Sequence, residues 1–184
     1  MKTKVAFLDL GGVVFNSTGQ SNEKIDWTTI TELNYKYGYQ LNIGEDLFPD
    51  FMKDYNQMTQ QKMEGAEFLK LVFDTLKFNQ ELVDLLSVDH RIIIVSDNYR
   101  ENIEYISQRY HFSDWADQEF YSFDFKMHKA EPIFFKLLLE KVNVDLENLI
   151  FIDDSPKKLQ SARQHGIKGI LFKNNQQVKN ALKG

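Results

Sequence analysis

Three apolar runs in this 184-residue chain are followed within two residues by an acid. Residues 5–8 lead into Asp9 and then Leu10, Gly11 and Gly12. Residues 92–95 lead into Ser96, Asp97 and Asn98, and residues 149–152 into Asp153, Asp154 and Ser155. A lone lysine, Lys129, stands just before a helical pattern. Taken singly, each has an ordinary explanation. An acid closing a strand commonly turns the chain or caps a helix, Ser96 is a good cap, and Lys129 a good surface charge. Taken together, they place carboxylates, a hydroxyl and an ammonium at corresponding ends of apolar runs. Carboxylates massed on one edge raise one another's pKa unless a cation lies between them. A hard divalent ion with oxygen ligands, most simply Mg²⁺, resolves that conflict. Lys129 and the Ser96 hydroxyl would then serve the remaining oxygens of a phosphate.

For these residues to meet, the runs must be strands of one sheet. Residues 5–8, 92–95, 149–152 and 170–172 are rich in β-branched and aromatic side chains, lack polar alternation and are separated by helical patterns. Such runs are parallel strands covered on both faces. Residues 119–123 are a weaker fifth candidate. Ile103, Ile106 and Tyr110 mark one intervening helix, and Phe134, Leu137, Leu138 and Val142 another that opens near Pro132. A third has Ser155 and Pro156 at its start, Leu159 and Ala162 inward, and Gly166 as its stop. The alternation predicts an α/β fold, a doubly wound, Rossmann-like parallel sheet of about five strands. Ligands of such sheets bind at the carboxyl ends of the strands, where the acids stand.

Residues 16–86 break the rhythm. Ile30, Leu33 and Tyr37 are spaced helically, as are Phe48, Phe51, Met52 and Tyr55, and then Phe68, Val72 and Leu76. No strand is expected there, so the stretch reads as a helical insertion that returns to the core near Val88. The aromatic residues here, including Phe15, Trp27, Phe48 and Tyr55, either line a ligand pocket or form the insertion's own core.

The net charge of −5 provides no general attraction to nucleic acid or to an anionic membrane. The absence of Cys excludes disulfides, thiolate metal sites and a cysteine nucleophile. The basic start at Met1–Lys4 is followed by too short an apolar run for a signal peptide, and no stretch approaches transmembrane length. The expectation is a cytoplasmic protein with a small phosphorylated substrate and neither nucleic acid nor membrane as partner; the sequence gives no handle on oligomeric state.

The motifs resemble those of the haloacid dehalogenase superfamily. Phe7-Leu8-Asp9-Leu10-Gly11-Gly12-Val13-Val14 is similar to its first motif, and the strand ending at Ser96 to its second. Lys129-Ala130-Glu131-Pro132-Ile133-Phe134 resembles the third, and Phe151-Ile152-Asp153-Asp154-Ser155-Pro156, with Ala162-Arg163 and Gly166-Ile167, the fourth. The resemblance implies a subfamily I arrangement: a core of residues 1–15 and 87–184, and a helical C1 cap over residues 16–86. It implies a Mg²⁺-dependent phosphohydrolase in which Asp9 attacks phosphorus and becomes an aspartyl-phosphate. The implied metal ligands are Asp9, the Gly11 carbonyl and Asp154, with Asp153 supporting the metal shell or trading roles with Asp154. Ser96 and Lys129 would hold phosphoryl oxygens, beside a substrate-binding set of Leu10, Gly11, Asp97 and Asn98. Substrates implied at the family level are small phosphorylated metabolites such as sugar phosphates.

The chain also departs from the pattern. Most phosphatases of this family carry a second Asp two positions after the nucleophile, as general acid and base; here that position is Gly11. Proton transfer of this kind is worth about 10²–10⁴-fold in rate. A good leaving group, a recruited acid (His128, Asp97 or a cap residue), or a weakly active phosphate-binding relative each answers the gap. Some sugar-phosphate phosphatases of the family share the Asp-Leu-Gly start. Asp97 stands where relatives often have Asn, and should point away from phosphate or be neutralised. Ala130 replaces the more usual proline, and His128 reads as a packing residue or a pocket wall. Metal-free carbon–halogen hydrolysis is disfavoured by the Asp153-Asp154 pair. A signalling receiver domain is disfavoured because its acidic pair lies on the first strand.

Overall fold

A computed structural model describes residues 3–183; Met1, Lys2 and Gly184, which fall within the expected core segments, lie outside the described residues. The sheet has five strands: β1 (Lys4–Leu8), β4 (His90–Ser96), β5 (Gln118–Tyr121), β6 (Leu149–Asp153) and β7 (Lys168–Leu171). Their spatial order is β5-β4-β1-β6-β7, and every pairing is parallel. The α/β expectation is met, because continuous apolar strands can bury both faces only between layers of helices. On one face Phe7, Val95 and Phe151 pack with Phe134 and Phe135 of α7 (Phe134–Lys141) and with Leu159 of α8 (Pro156–Arg163). On the other, Leu8, Ile92 and Ile94 pack with Leu82 and Leu86 of α4 (Gln80–Ser87), Ile106 of α5 (Arg100–Arg109) and Val178 of α9 (Asn175–Ala181). β1 is central, flanked by β4 and β6. The chain builds one side of the sheet, returns and builds the other, so the carboxyl ends of β4, β1 and β6 form the switch point where such sheets bind ligands.

Between β1 and α4 lie α1 (Trp27–Asn42), α2 (Phe48–Thr59) and α3 (Gly65–Asp74). Asp26 caps α1, its carboxylate accepting from the amides of Thr28 and Thr29. Phe48, Phe51, Tyr55 and Phe68 pack ring against ring in the interior of this helical layer. Phe48 and Tyr55 are thus core residues of the layer. Phe15 is buried against Phe73, Phe78 and Tyr110, whereas Trp27 is exposed.

Four details differ from the sequence reading. The insertion does contain strand. β2 (Phe15–Ser17) pairs antiparallel with β3 (Leu76–Phe78), so Leu76 is a strand residue and not the last position of a helical stripe. Three residues are too few to show a period of two, and each strand's partner lies some sixty positions away in the chain. The chain rejoins the sheet with α4, which begins at Gln80, ahead of Val88, and packs on β4. The fifth strand stops at Tyr121, because Ser122–Phe125 turns into a short helix, α6. Pro132 precedes α7 within a run of turns and does not sit in its first helical turn.

Candidate functional site

Parallel neighbours in a sheet lie about 4.8 Å apart, so residues following β1, β4 and β6 are held within side-chain reach of one another. Asp9 follows Leu8, its amide donating to the Ile152 carbonyl of the next strand at 3.0 Å. Asp153 ends β6, and Ser96 ends β4 as a buried residue. Asp9 and Asp153 are buried, and Lys129 lies fully buried between them. The Lys129 ammonium stands 2.7 Å from Asp9 Oδ1, 2.7 Å from Asp153 Oδ2 and 2.9 Å from the Val95 carbonyl. An ammonium has three protons, and all three have acceptors here. The backbone holds the lysine in place as well, its amide donating to Asp97 Oδ1 at 2.9 Å.

Sequence reasoning missed a second cation. Lys158, on α8, extends its ammonium to 3.7 Å from Asp9 Oδ2 and 3.3 Å from Asp97 Oδ2. It reads as one more surface lysine on a polar helix. The only signal was position, since the residue at the third helical position after a strand-end cap points back over that strand's end. Asp97 is therefore neutralised, as expected, but by a residue the sequence had not marked; His128 Nδ1 lies 4.0 Å from the same oxygen.

The electrostatics follow from these contacts. Burial works against the Asp9 carboxylate, but the ammonium groups of Lys129 and Lys158 outweigh it and hold its pKa below the ordinary value. Asp153 has Lys129 as its close cation among the described residues, with Lys158 acting from further away. Burial pushes it up to about 6, with the Asp9 charge adding to the rise. For Lys158, burial is outweighed by Asp9, Asp97 and Asp153, and its pKa is raised. With Asp154 included, four carboxylates face two ammonium groups, leaving two negative charges that one divalent cation matches.

Oxygens of Asp9, Asp153 and Asp154 lie within 4.8 Å of one another. Oxygens on opposite sides of a Mg²⁺ ion, each about 2.1 Å from it, are about 4 Å apart. The donor set and its charge therefore fit Mg²⁺. The two adjacent acids differ. Asp153 accepts on both oxygens, from Lys129 and from the Ser155 amide at 2.8 Å, and is buried, whereas Asp154 is exposed. Asp154 also depends on a glycine. Gly12 has φ +72°, and a Cβ there would stand 2.2 Å from Asp154 Oδ2. That positive φ and that close approach together require glycine at position 12.

The remaining expected positions divide. The Leu10 amide donates to Asp9 Oδ1 at 2.9 Å, and the Leu10 carbonyl accepts from Val14 and Phe15, making residues 10–15 a tight loop. Gly11 is exposed on that loop, with open space around its α-carbon. The Asn98 carboxamide oxygen accepts from the Tyr99 amide and from Asn102, an arrangement that starts α5.

A family model for haloacid dehalogenase-like hydrolases matches residues 3–166. The chain belongs to this family. A haloacid dehalogenase (HAD) family enzyme of Bacteroides thetaiotaomicron has the same fold, with a TM-score of 0.73 at 22% identity over 94% of this chain and 95% of that one. Its complex with magnesium and inorganic phosphate aligns at 0.69 and 21% identity over 92% of this chain and 94% of that one. A putative phosphoglycolate phosphatase of Lactobacillus plantarum aligns at 0.59 and 21%, over 92% of this chain and 86% of that one. Among curated proteins, the drimenol cyclase of Aspergillus calidoustus is 23% identical over 97% of this chain. The chain spans only 36% of that protein's length. No helix among the described residues is long and apolar enough to cross a membrane.

Proposed function

We propose that this HAD hydrolase is a Mg²⁺-dependent phosphatase acting on a small phosphate monoester through an aspartyl-phosphate on Asp9. The observation that carries this reading is the state of Asp9. Oδ1 is anchored by Lys129 and the Leu10 amide, while Oδ2 has Lys158 as its cation at the longer distance of 3.7 Å. Oδ2 is thus an ionised oxygen, free to attack, at the carboxyl end of the central strand. It bonds to phosphorus as the ester P–O bond breaks, and the leaving oxygen takes a proton from solvent water. Water then attacks the acyl phosphate, releasing phosphate and restoring the carboxylate. Bound Mg²⁺ supplies charge neutralisation between the carboxylate and the phosphoryl group.

Asp9, the Gly11 carbonyl and Asp154 would hold the metal, Asp154 being the exposed member of its pair. Asp153 supports the shell while anchoring Lys129. The Ser96 hydroxyl and the Gly11 amide are the proposed phosphoryl donors. Lys129, its protons occupied, acts as the fixed counter-charge; Lys158, less fully engaged, is the cation we assign to the phosphoryl oxygens. The helical unit between the two strands of the β2–β3 ribbon, residues 18–75, would serve as the cap. Turnover of p-nitrophenyl phosphate in Mg²⁺ tests the reading. Wild type is expected to release phosphate and Asp9→Asn to lose it, with an unchanged circular dichroism spectrum. Equal turnover by the two proteins would reject Asp9 as nucleophile.

A further inference from the structure

The loop that carries Gly11 and Gly12 has little packed on its tip. Nothing lies within 4 Å of where a Gly11 Cβ would stand, and two successive glycines leave the backbone permissive. The Gly12 amide donates to the Phe15 carbonyl at 2.9 Å, and the Val14 and Phe15 amides donate to the Leu10 carbonyl at 2.9 and 2.8 Å. Those bonds close residues 10–15 on themselves. Two neighbouring carbonyls then fasten the closed loop to the rest of the fold. The Asn79 amide donates to the Val14 carbonyl at 2.8 Å. The Val13 carbonyl accepts from two carboxamides, Asn16 Nδ2 at 2.9 Å and Asn79 Nδ2 at 3.1 Å, which fills both its lone pairs. Asn16 lies on β2 and Asn79 directly follows β3, so the loop is tied to both strands of the ribbon from which the proposed cap springs.

Asn79 is itself clamped. Its side-chain oxygen caps α4, accepting from the Leu82 amide at 3.3 Å. It also exchanges two hydrogen bonds with the carboxamide of Asn175, the first residue of α9, each 2.9 Å long. Its two N–H protons thus go to Val13 and Asn175, and its oxygen accepts from Leu82 and Asn175, a carboxamide's full capacity. The orientation is fixed by chemistry, because the Val13 carbonyl can only accept and the Leu82 amide can only donate. A chain of hydrogen bonds therefore runs from α9, through the start of α4, to the loop beside Asp9.

We infer that Asn79 is a positioning residue: through the Val13 carbonyl it sets the loop that presents Gly11 to the metal, and Asn175 keeps it in that orientation. Mg²⁺ demands near-ideal geometry at about 2.1 Å, so a loop free to shift by a few tenths of an ångström loses affinity. The inference rests on the proposed Mg²⁺ site and adds residues that hold the site in shape.

Asn79→Asp separates the two jobs of this side chain. Aspartate caps a helix as well as asparagine and keeps oxygens for Leu82 and Asn175, but it has no proton for Val13. Mg²⁺ affinity is measured by calorimetry, and exchange of the Val14 and Phe15 amides by NMR in EDTA. Asn79→Asp should weaken Mg²⁺ binding about 3–10-fold, the worth of one neutral hydrogen bond, and speed exchange of both amides by a similar factor. Added negative charge alone would tighten Mg²⁺ binding, so the sign separates lost positioning from electrostatics. Asn175→Ala tests the same chain of bonds without touching the loop's own partner. It should act in the same direction more weakly, and the double variant should fall no further than Asn79→Asp alone. Unchanged or tightened Mg²⁺ binding in Asn79→Asp, or loop amides that exchange as in the wild type, would overturn the inference and leave the Mg²⁺ site standing. A wild type that binds no Mg²⁺ would overturn the site and this inference with it.

Discussion

Replacing Lys129 by Met should expose how much of this fold's stability is tied to its site. Met fills nearly the same volume, so the change leaves little cavity and removes chiefly the charge. Asp153 Oδ2 and the Val95 carbonyl lose their 2.7 and 2.9 Å donor, and Asp9 Oδ1 keeps only the Leu10 amide. Lys158 still faces Asp9, so the uncompensated charge falls mainly on Asp153. Removing one member of a buried ion pair costs about 3–5 kcal/mol. For a chain of this length each kcal/mol moves Tm by about 2–4 °C, so the expected loss is roughly 6–20 °C. The sign with pH is fixed by Asp153, whose carboxyl already titrates near 6 in the wild type and must titrate higher without the lysine. A raised carboxyl pKa destabilises the folded state above it, and that penalty shrinks as pH falls toward the unfolded value of about 3.9, where folded and unfolded chains are both protonated. The deficit relative to wild type should therefore be large at pH 7.5 and fall by about 1.4 kcal/mol per pH unit once the variant's carboxyl protonates. Urea unfolding in EDTA at pH 7.5 and pH 5.5 measures it. A deficit below about 1 kcal/mol at pH 7.5, or one that does not shrink on acidification, would refute the assignment of Lys129 as buried counter-charge.

Three further outcomes follow from the same geometry. Gly11→Asp has open space for its side chain and no left-handed backbone to strain, so it should supply the missing proton carrier and raise kcat. A gain of at least tenfold is expected, within the roughly 10²–10⁴-fold worth of general acid–base catalysis; a fall in kcat with Mg²⁺ binding intact would show that the position does not face the leaving group. Lys158→Met should weaken inhibition by inorganic phosphate about 10–100-fold, the worth of a charged hydrogen bond, without weakening Mg²⁺ binding, because it removes a positive charge from an acidic site; unchanged inhibition would return the phosphate-binding role to Lys129. Mg²⁺ affinity followed by calorimetry should be flat above pH 7 and fall by about tenfold per unit below about 6, because binding must then expel the Asp153 proton. A flat profile down to pH 5 would mean that Asp153 lies outside the metal's field.

The core was legible because burial on both faces demands continuous apolar strands, and residues 5–8, 92–95 and 149–152 carry that signature in the chain itself. Strand ends follow from strand positions, so Asp9, Ser96, Asp97, Asp153 and Asp154 could be named as neighbours before any coordinates. Glycine at position 12 was also visible, but its reason was not. That reason is a carboxylate more than 140 positions later, with an oxygen 2.2 Å from where a Cβ would sit. The β2–β3 ribbon was hidden because three-residue strands have no period and find each other only across the helical layer.

What tertiary structure decided is how the charges are shared. Sequence makes Lys129 one cation among four acids and leaves Lys158 an ordinary residue on a polar helix. Folding saturates the first lysine and aims the second at Asp9 and Asp97, and it separates Asp153, bound on both oxygens, from its exposed neighbour Asp154. Residue type and order fix which groups reach a strand's end. Distance and burial, which depend on elements far apart in the chain, fix each group's protons, partners and remaining free atoms.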